Sequence, residues 1–197
     1  MHKTENFRII RNYSYLFAFS SCLLGCALGI FYGNFSVVTI TTSIAIIFTG
    51  IGIHALCNYS IDYSHAYSRH LKDKKEGINS PFMVGEITAT QLRKRMAIIT
   101  MLSSLVGAIA IYQSLGSNIQ VLSWFIFLCV LCILSTLFYN VSTFYLYKGI
   151  GVILIFFFFG FASILVSQFL VVSASHEIID IYPDTWLLAF VSGISAL

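Results

Sequence analysis

The chain has 197 residues, 58% of them hydrophobic and 10% charged, against roughly 45–50% and about 25% in ordinary soluble domains. This composition excludes a soluble globular domain and implies a membrane protein, for which no nucleic-acid partner is expected. The formal net charge is +3, and its meaning lies in where the basic residues fall.

A helix crosses a hydrocarbon core of roughly 30 Å with about 20 apolar residues at 1.5 Å of rise each. Windows of that kind predict five spans, at about Tyr13–Tyr32, Val37–Ile61, Met96–Tyr112, Ile119–Phe138 and Gly149–Val172. Helices are the expected form, because the runs are uniformly apolar rather than alternating and an open chain in lipid cannot leave backbone groups unpaired. The first run is long, lacks an A-x-A site and is soon followed by another, so it is not read as a cleaved signal peptide. Its Cys22, Gly25, Cys26 and Gly29 form a small-residue face suited to close helix contact inside the bundle. FYGNFS and QSLGSN are tight, uncharged turns.

The second span ends in ALCNYSIDYSHAYSRHLKDKKEGINSP, residues 55 to 81, the one long polar passage of the chain. It opens a cytoplasmic loop predicted over 62–95, whose ITATQLRKRM reads as a helix start with Thr88 or Thr90 as cap. Further on, CVLC at 129–132 lies in an apolar run, as do the other cysteines, and reads as packing rather than as a redox or metal motif. Gly149, Gly151 and Gly160 flank IFFFF in the fifth span and permit a close approach or a bend there. The phenylalanines are expected to face lipid and neighbouring helices, the lesser alternative being the wall of a cavity for a long hydrocarbon. After SASHEIIDIYPD, with Pro183 and Asp184 as helix start and Asp184 as cap, a sixth run stops after 13 residues at Leu197. A run of that length is too short to span. The expectation is a chain that ends in mid-membrane, the alternative being a short re-entrant or interfacial helix.

Lys3, Arg8 and Arg11 precede the first span, and Arg69, Lys72, Lys74, Lys75, Arg93, Lys94 and Arg95 lie between the second and third. Lys148 lies between the fourth and fifth, so all 11 basic residues fall on one side. The positive-inside rule makes that side, and the N-terminus with it, cytoplasmic. The fold expected is one all-α, polytopic transmembrane bundle over 1–197, of five spans and the start of a sixth.

Asn58 and Asp62 stand four apart, hence on one helix face about a turn from each other. A carboxylate and an amide oxygen so placed are hard ligands of the kind that hold Mg²⁺ sparingly and leave positions for water and phosphate oxygens. The same spacing is equally that of a helix end entering water. Around them lie His65, Arg69, His70, Lys72, Lys74 and Lys75, with Asp73 and Glu76; the basic groups suit an anionic headgroup such as a diphosphate, and each alone equally reads as a solvated loop charge.

The order of these features resembles the UbiA superfamily of intramembrane prenyltransferases, above all its 1,4-dihydroxy-2-naphthoate (MenA) branch. NYSIDYSH resembles the first Asp-rich segment at the end of the second helix. GINSPFMVGEITATQLRKRM resembles the stretch that follows it. FYNVSTFYLYKGIGVILIFFFFG resembles the branch's tyrosine-containing loop and the opening of its fifth helix. The resemblance implies Mg²⁺-dependent transfer of a polyprenyl group from its diphosphate to an aromatic acceptor, dihydroxynaphthoate in menaquinone synthesis, in a bacterial-type inner membrane. It makes Asp62 catalytic, Asn58 and Asp62 metal-binding, and His65, Arg69 and Lys148 substrate-binding. The chain departs from the pattern in its acids. In one register Ala66 replaces the third member of the motif; in another His65 and Arg69 stand where acids are usual, and Val152 stands where the branch has Glu. The second Asp-rich segment would follow Leu197, so the 197 residues alone are expected to lack about half of the metal site and to be inert. Two other readings stand beside the enzyme: a non-catalytic UbiA-like protein binding lipid or quinone, and a small transporter or assembly subunit.

Overall fold

The computed structural model describes residues 2–71, 88–116, 118–141, 155–175 and 181–196, which are helical almost throughout and contain no strand. The order is α1 (His2–Tyr32), α2 (Val37–Leu71), α3 (Ala89–Leu115) and α4 (Ile119–Val141). A π-helical segment, Ile155–Ala162, then runs straight into α5 (Ser163–Ala174), and α6 (Pro183–Ser195) follows. Four stretches, Tyr15–Tyr32, Val37–Ser60, Ala89–Leu115 and Phe156–Ala174, are long and apolar enough to cross a membrane. The all-α membrane bundle expected from composition is therefore present. The fourth predicted span, α4, has 23 residues, with a shorter apolar stretch at Ile119–Leu134.

Side chains at the helix ends take up the first backbone N–H groups, which have no partner inside a helix. Thr88 is the cap of α3: its hydroxyl accepts from the Gln91 N–H at 3.2 Å, and the Gln91 side chain accepts from the Thr88 N–H at 2.9 Å. The same reciprocal device opens α2, where Ser36 and Thr39 each accept the other's N–H, at 3.1 and 2.9 Å. Two expectations are corrected. Asp184 does not cap α6; Tyr182 holds the cap position and Pro183 the first turn. Proline fixes φ and needs no N–H partner there, which moves Asp184 one place into the helix. Its carboxylate instead accepts a hydrogen bond from the Tyr32 hydroxyl at 2.8 Å, beside the stacked rings of Tyr32 and Tyr182 at 3.8 Å. The stretch predicted as a loop over 62–95 also begins as helix, because α2 continues to Leu71, while the helix start expected at Thr88 or Thr90 is that of α3 at Ala89. No glycine or proline stands between Gly52 and Gly77, so nothing in that stretch breaks the helix when it leaves the apolar run.

Lipid does not drive helices together as water does, so close packing and interhelical hydrogen bonds must hold them. α1 and α2 are antiparallel, with Tyr15 against His54 and Cys26 Sγ donating to the Ser43 carbonyl at 3.8 Å. α2 and α3 are antiparallel as well: Gly52 meets Ser103, Gly107 meets Thr49, and Thr42 donates to the Gln113 side chain at 3.3 Å. α1 and α5 run parallel in intimate contact. A Cβ built on Gly25 would lie 2.6 Å from the Ile164 carbonyl oxygen, one on Gly29 2.6 Å from Val171 Cβ, and one on Gly33 2.7 Å from Ser175 Oγ. The small-residue face of the first helix is thus an internal seam, with Cys22 and Cys26 buried beside it. Gly160 makes an equally close crossing with Gly193 of α6. Around the seam Cys26, Ile46, Ala110, Ile111, Leu115, Leu170 and Val171 form the main apolar core.

Candidate functional site

α2 is unbroken from Val37 to Leu71, and at about 100° per residue positions 54, 58, 62, 65 and 69 fall within an arc of about 80°. The backbone therefore carries His54, Asn58, Asp62, His65 and Arg69 on one stripe, roughly 22 Å long at 1.5 Å per residue. The stripe begins inside the bundle and runs toward the basic end of the helix. Asn58 is half-buried, while Leu56 and Ser60 beside it are 1% and 2% exposed. Asp62, His65 and Arg69 are described by their backbone alone, and Lys148 lies outside the described residues.

The α2–α3 register adds a feature. Gly52 faces Ser103, and one turn earlier Thr49 faces Gly107. Continued toward the basic end, the antiparallel register sets position 62 level with position 93. Arg93, Lys94 and Arg95 are exposed there, on the first two turns of α3, next to the buried Leu92. The turn bearing Asp62 and the tribasic turn thus share one level of the bundle.

At its inner end the stripe meets a group that the sequence reading passed over. The His54 ring is 9% exposed and packs edge-on against Tyr15 of α1, with centroids 5.6 Å apart, and against Phe159, at 4.8 Å. Neither ring nitrogen has a hydrogen-bond partner among the described residues. Phe159 is delivered by the π-helical segment, whose wide turns are rare and often found at functional sites. The adjoining Gly160, set against Gly193 of α6, fixes this segment in place. The sequence did carry a clue: a histidine four residues before Asn58, in the middle of an apolar run, where ionisable groups are expensive and mark function by default.

Among the described residues no three His, Cys, Asp or Glu side chains gather as a metal site. Positions 58 and 62 lie about 6 Å apart along the helix axis, and of the two side chains only that of Asn58 is described. No described protein family, curated protein or solved structure matches the chain, so the likeness to the UbiA superfamily rests on the motifs and their order.

Proposed function

We propose that this chain is an integral membrane prenyltransferase of UbiA type, moving a polyprenyl group from its diphosphate to an aromatic acceptor, with 1,4-dihydroxy-2-naphthoate the favoured acceptor. What supports the reading is the single stripe on α2, which links the interior of an apolar bundle to Asn58, Asp62, His65 and Arg69 at the level of a tribasic turn. A substrate with a hydrocarbon tail and a diphosphate head needs that combination. Mg²⁺, when bound by Asn58 and Asp62, supplies charge neutralisation at the diphosphate. Arg69, Arg93 and Lys148 are the cationic groups that hold the remaining phosphate charge, with His65 as a hydrogen-bond donor beside them. The bond between the first prenyl carbon and the diphosphate oxygen breaks, and its electron pair leaves with the diphosphate. The apolar helices keep water from the allylic cation, and the ring carbon bearing the acceptor's carboxylate attacks it. Loss of carbon dioxide then restores the aromatic ring. The basic side of the bundle is assigned to the cytoplasm of a bacterial-type inner membrane.

The test is to supply membranes containing the full-length protein with polyprenyl diphosphate, Mg²⁺ and dihydroxynaphthoate. Prenylated, decarboxylated product that disappears with chelator is the expected result. The substituted acids of the Asp-rich segment favour a second reading, a protein that binds lipid or quinone without catalysis. Absence of product together with Mg²⁺-independent binding of a prenylated quinone would establish that one instead.

Lys148→Gln should raise the KM for donor or acceptor about ten- to a hundredfold, the effect of one charge-assisted hydrogen bond, with the orientation of the protein unaltered. If steady-state kinetics are unchanged and accessibility labelling shows an altered topology, Lys148 is a topology anchor only.

A further inference from the structure

We infer that His54 is a binding residue for a ring hydroxyl of an aromatic ligand, which on the transferase reading, on which this assignment rests, is the acceptor. An imidazole in its neutral form has one N–H donor and one lone-pair acceptor. Leaving a buried polar group unsatisfied costs about 1–3 kcal/mol, and hydrocarbon offers no water to relieve it. Among the described residues both ring nitrogens of His54 are in that condition, at 9% exposure. A phenolic hydroxyl gives and accepts one hydrogen bond and so satisfies either nitrogen.

The surroundings select an aromatic carrier for the hydroxyl. Tyr15 and Phe159 approach His54 from two other elements with interplanar angles of 75° and 90°, so a flat ligand ring finds faces and edges to pack against. Position also fits. His54 and Asp62 share the stripe two turns apart, about 12 Å along the axis, a length that a bicyclic ring and the first phosphate together fill. A ring whose far hydroxyl rests on His54 would therefore present its other edge toward the donor's reacting carbon. Phe159 comes from the π-helical segment held by Gly160 and Gly193, which keeps this wall fixed.

Binding of 1-naphthol and of naphthalene, the same ring without the hydroxyl, is to be measured on the purified protein in nanodiscs, with empty discs subtracted. Wild type should prefer 1-naphthol at least tenfold. His54→Phe should reduce that preference to threefold or less, with His54→Leu used if the phenylalanine variant does not fold, and His54→Gln, which keeps a donor and an acceptor, should retain most of it. Wild type without the preference, or an apolar variant that keeps it, overturns the assignment. Mg²⁺-dependent binding of farnesyl diphosphate is measured in parallel and should be the same in all variants. Its absence from wild type counts against the transferase reading and leaves the naphthol result to judge His54 separately.

Discussion

Replacing Asp62 by Ala should lower prenyl transfer by about 10²–10³-fold, the effect of removing roughly 3–4 kcal/mol of transition-state charge stabilisation. Asp62 is the only carboxylate on the α2 stripe between His54 and Arg69. Asn58, one turn away, offers a neutral oxygen, so Asn58→Ala should cost less. Charge on the diphosphate grows as the carbon–oxygen bond breaks, so a group that anchors the neutralising cation contributes more to the transition state than to the ground state. The loss should accordingly fall mainly on kcat, with a raised Mg²⁺ requirement in Asp62→Asn, which keeps an oxygen but not the charge. Insertion should be unaffected or easier, because a carboxylate near the membrane carries an insertion cost that alanine does not. Initial rates at saturating donor and several Mg²⁺ concentrations, normalised to protein in the membrane fraction, check this. An Asp62→Ala variant with the wild-type rate would remove the residue from the mechanism and favour the non-catalytic reading.

The helices and one of their seams were legible because both depend on short-range pattern. Apolar run length places α1 to α3 within a few residues of their apolar parts, and GCALG names the face of α1 that meets α5 before any partner is known. The start of α3 is likewise legible as a cap at Thr88 or Thr90, and the structure selects Thr88 with Gln91 as its partner. The misreadings came from signals that run length hides. A span was ended where hydrocarbon residues end, yet α2 continues to Leu71 because helix geometry does not depend on polarity until a glycine or proline intervenes. Asp184 looked like a cap, but Pro183 takes the first turn. His54 is hard to find from run length, because one histidine hardly lowers the hydropathy of an apolar run and its lack of partners among the described residues is visible only in the packed bundle. The π-helical segment has no compositional signature: IFFFFGFA is as apolar as an α-helical span, and the wide turn is visible only in the backbone. The candidate site was half legible for the same reason. Asn58 and Asp62 follow from spacing, whereas the levelling of position 62 with Arg93 requires the register set by Gly52 and Gly107.

That dependence on glycine contacts leads to the second large effect. At Gly25 and at Gly107 an alanine adds one methyl group and the same gain in helix propensity, about 1 kcal/mol on scales measured in water. The two sites differ in what the methyl meets. At Gly107 the nearest atom is the Thr49 methyl at 3.1 Å, the end of a side chain that can rotate. At Gly25 it is the Ile164 carbonyl oxygen at 2.6 Å, then Ser167 Cβ at 2.7 Å, and neither can move without shifting α5 as a whole. Overpacking of that kind costs typically 1–3 kcal/mol, so it cancels or exceeds the propensity gain. Gly107→Ala should therefore be neutral or slightly stabilising and Gly25→Ala destabilising by up to about 2 kcal/mol. Gly25→Leu, which adds three more carbons to a closed seam, should leave little folded protein. Displacing α5 also moves the π-helical segment joined to it, so Gly25→Ala should weaken 1-naphthol binding as well as lower Tm, while Gly107→Ala changes neither by much. Thermal unfolding of the three variants in one detergent decides the matter: a Tm for Gly25→Ala at or above that of Gly107→Ala would mean that α1 and α5 do not meet along this face, and the seam on which the candidate site rests would have to be redrawn.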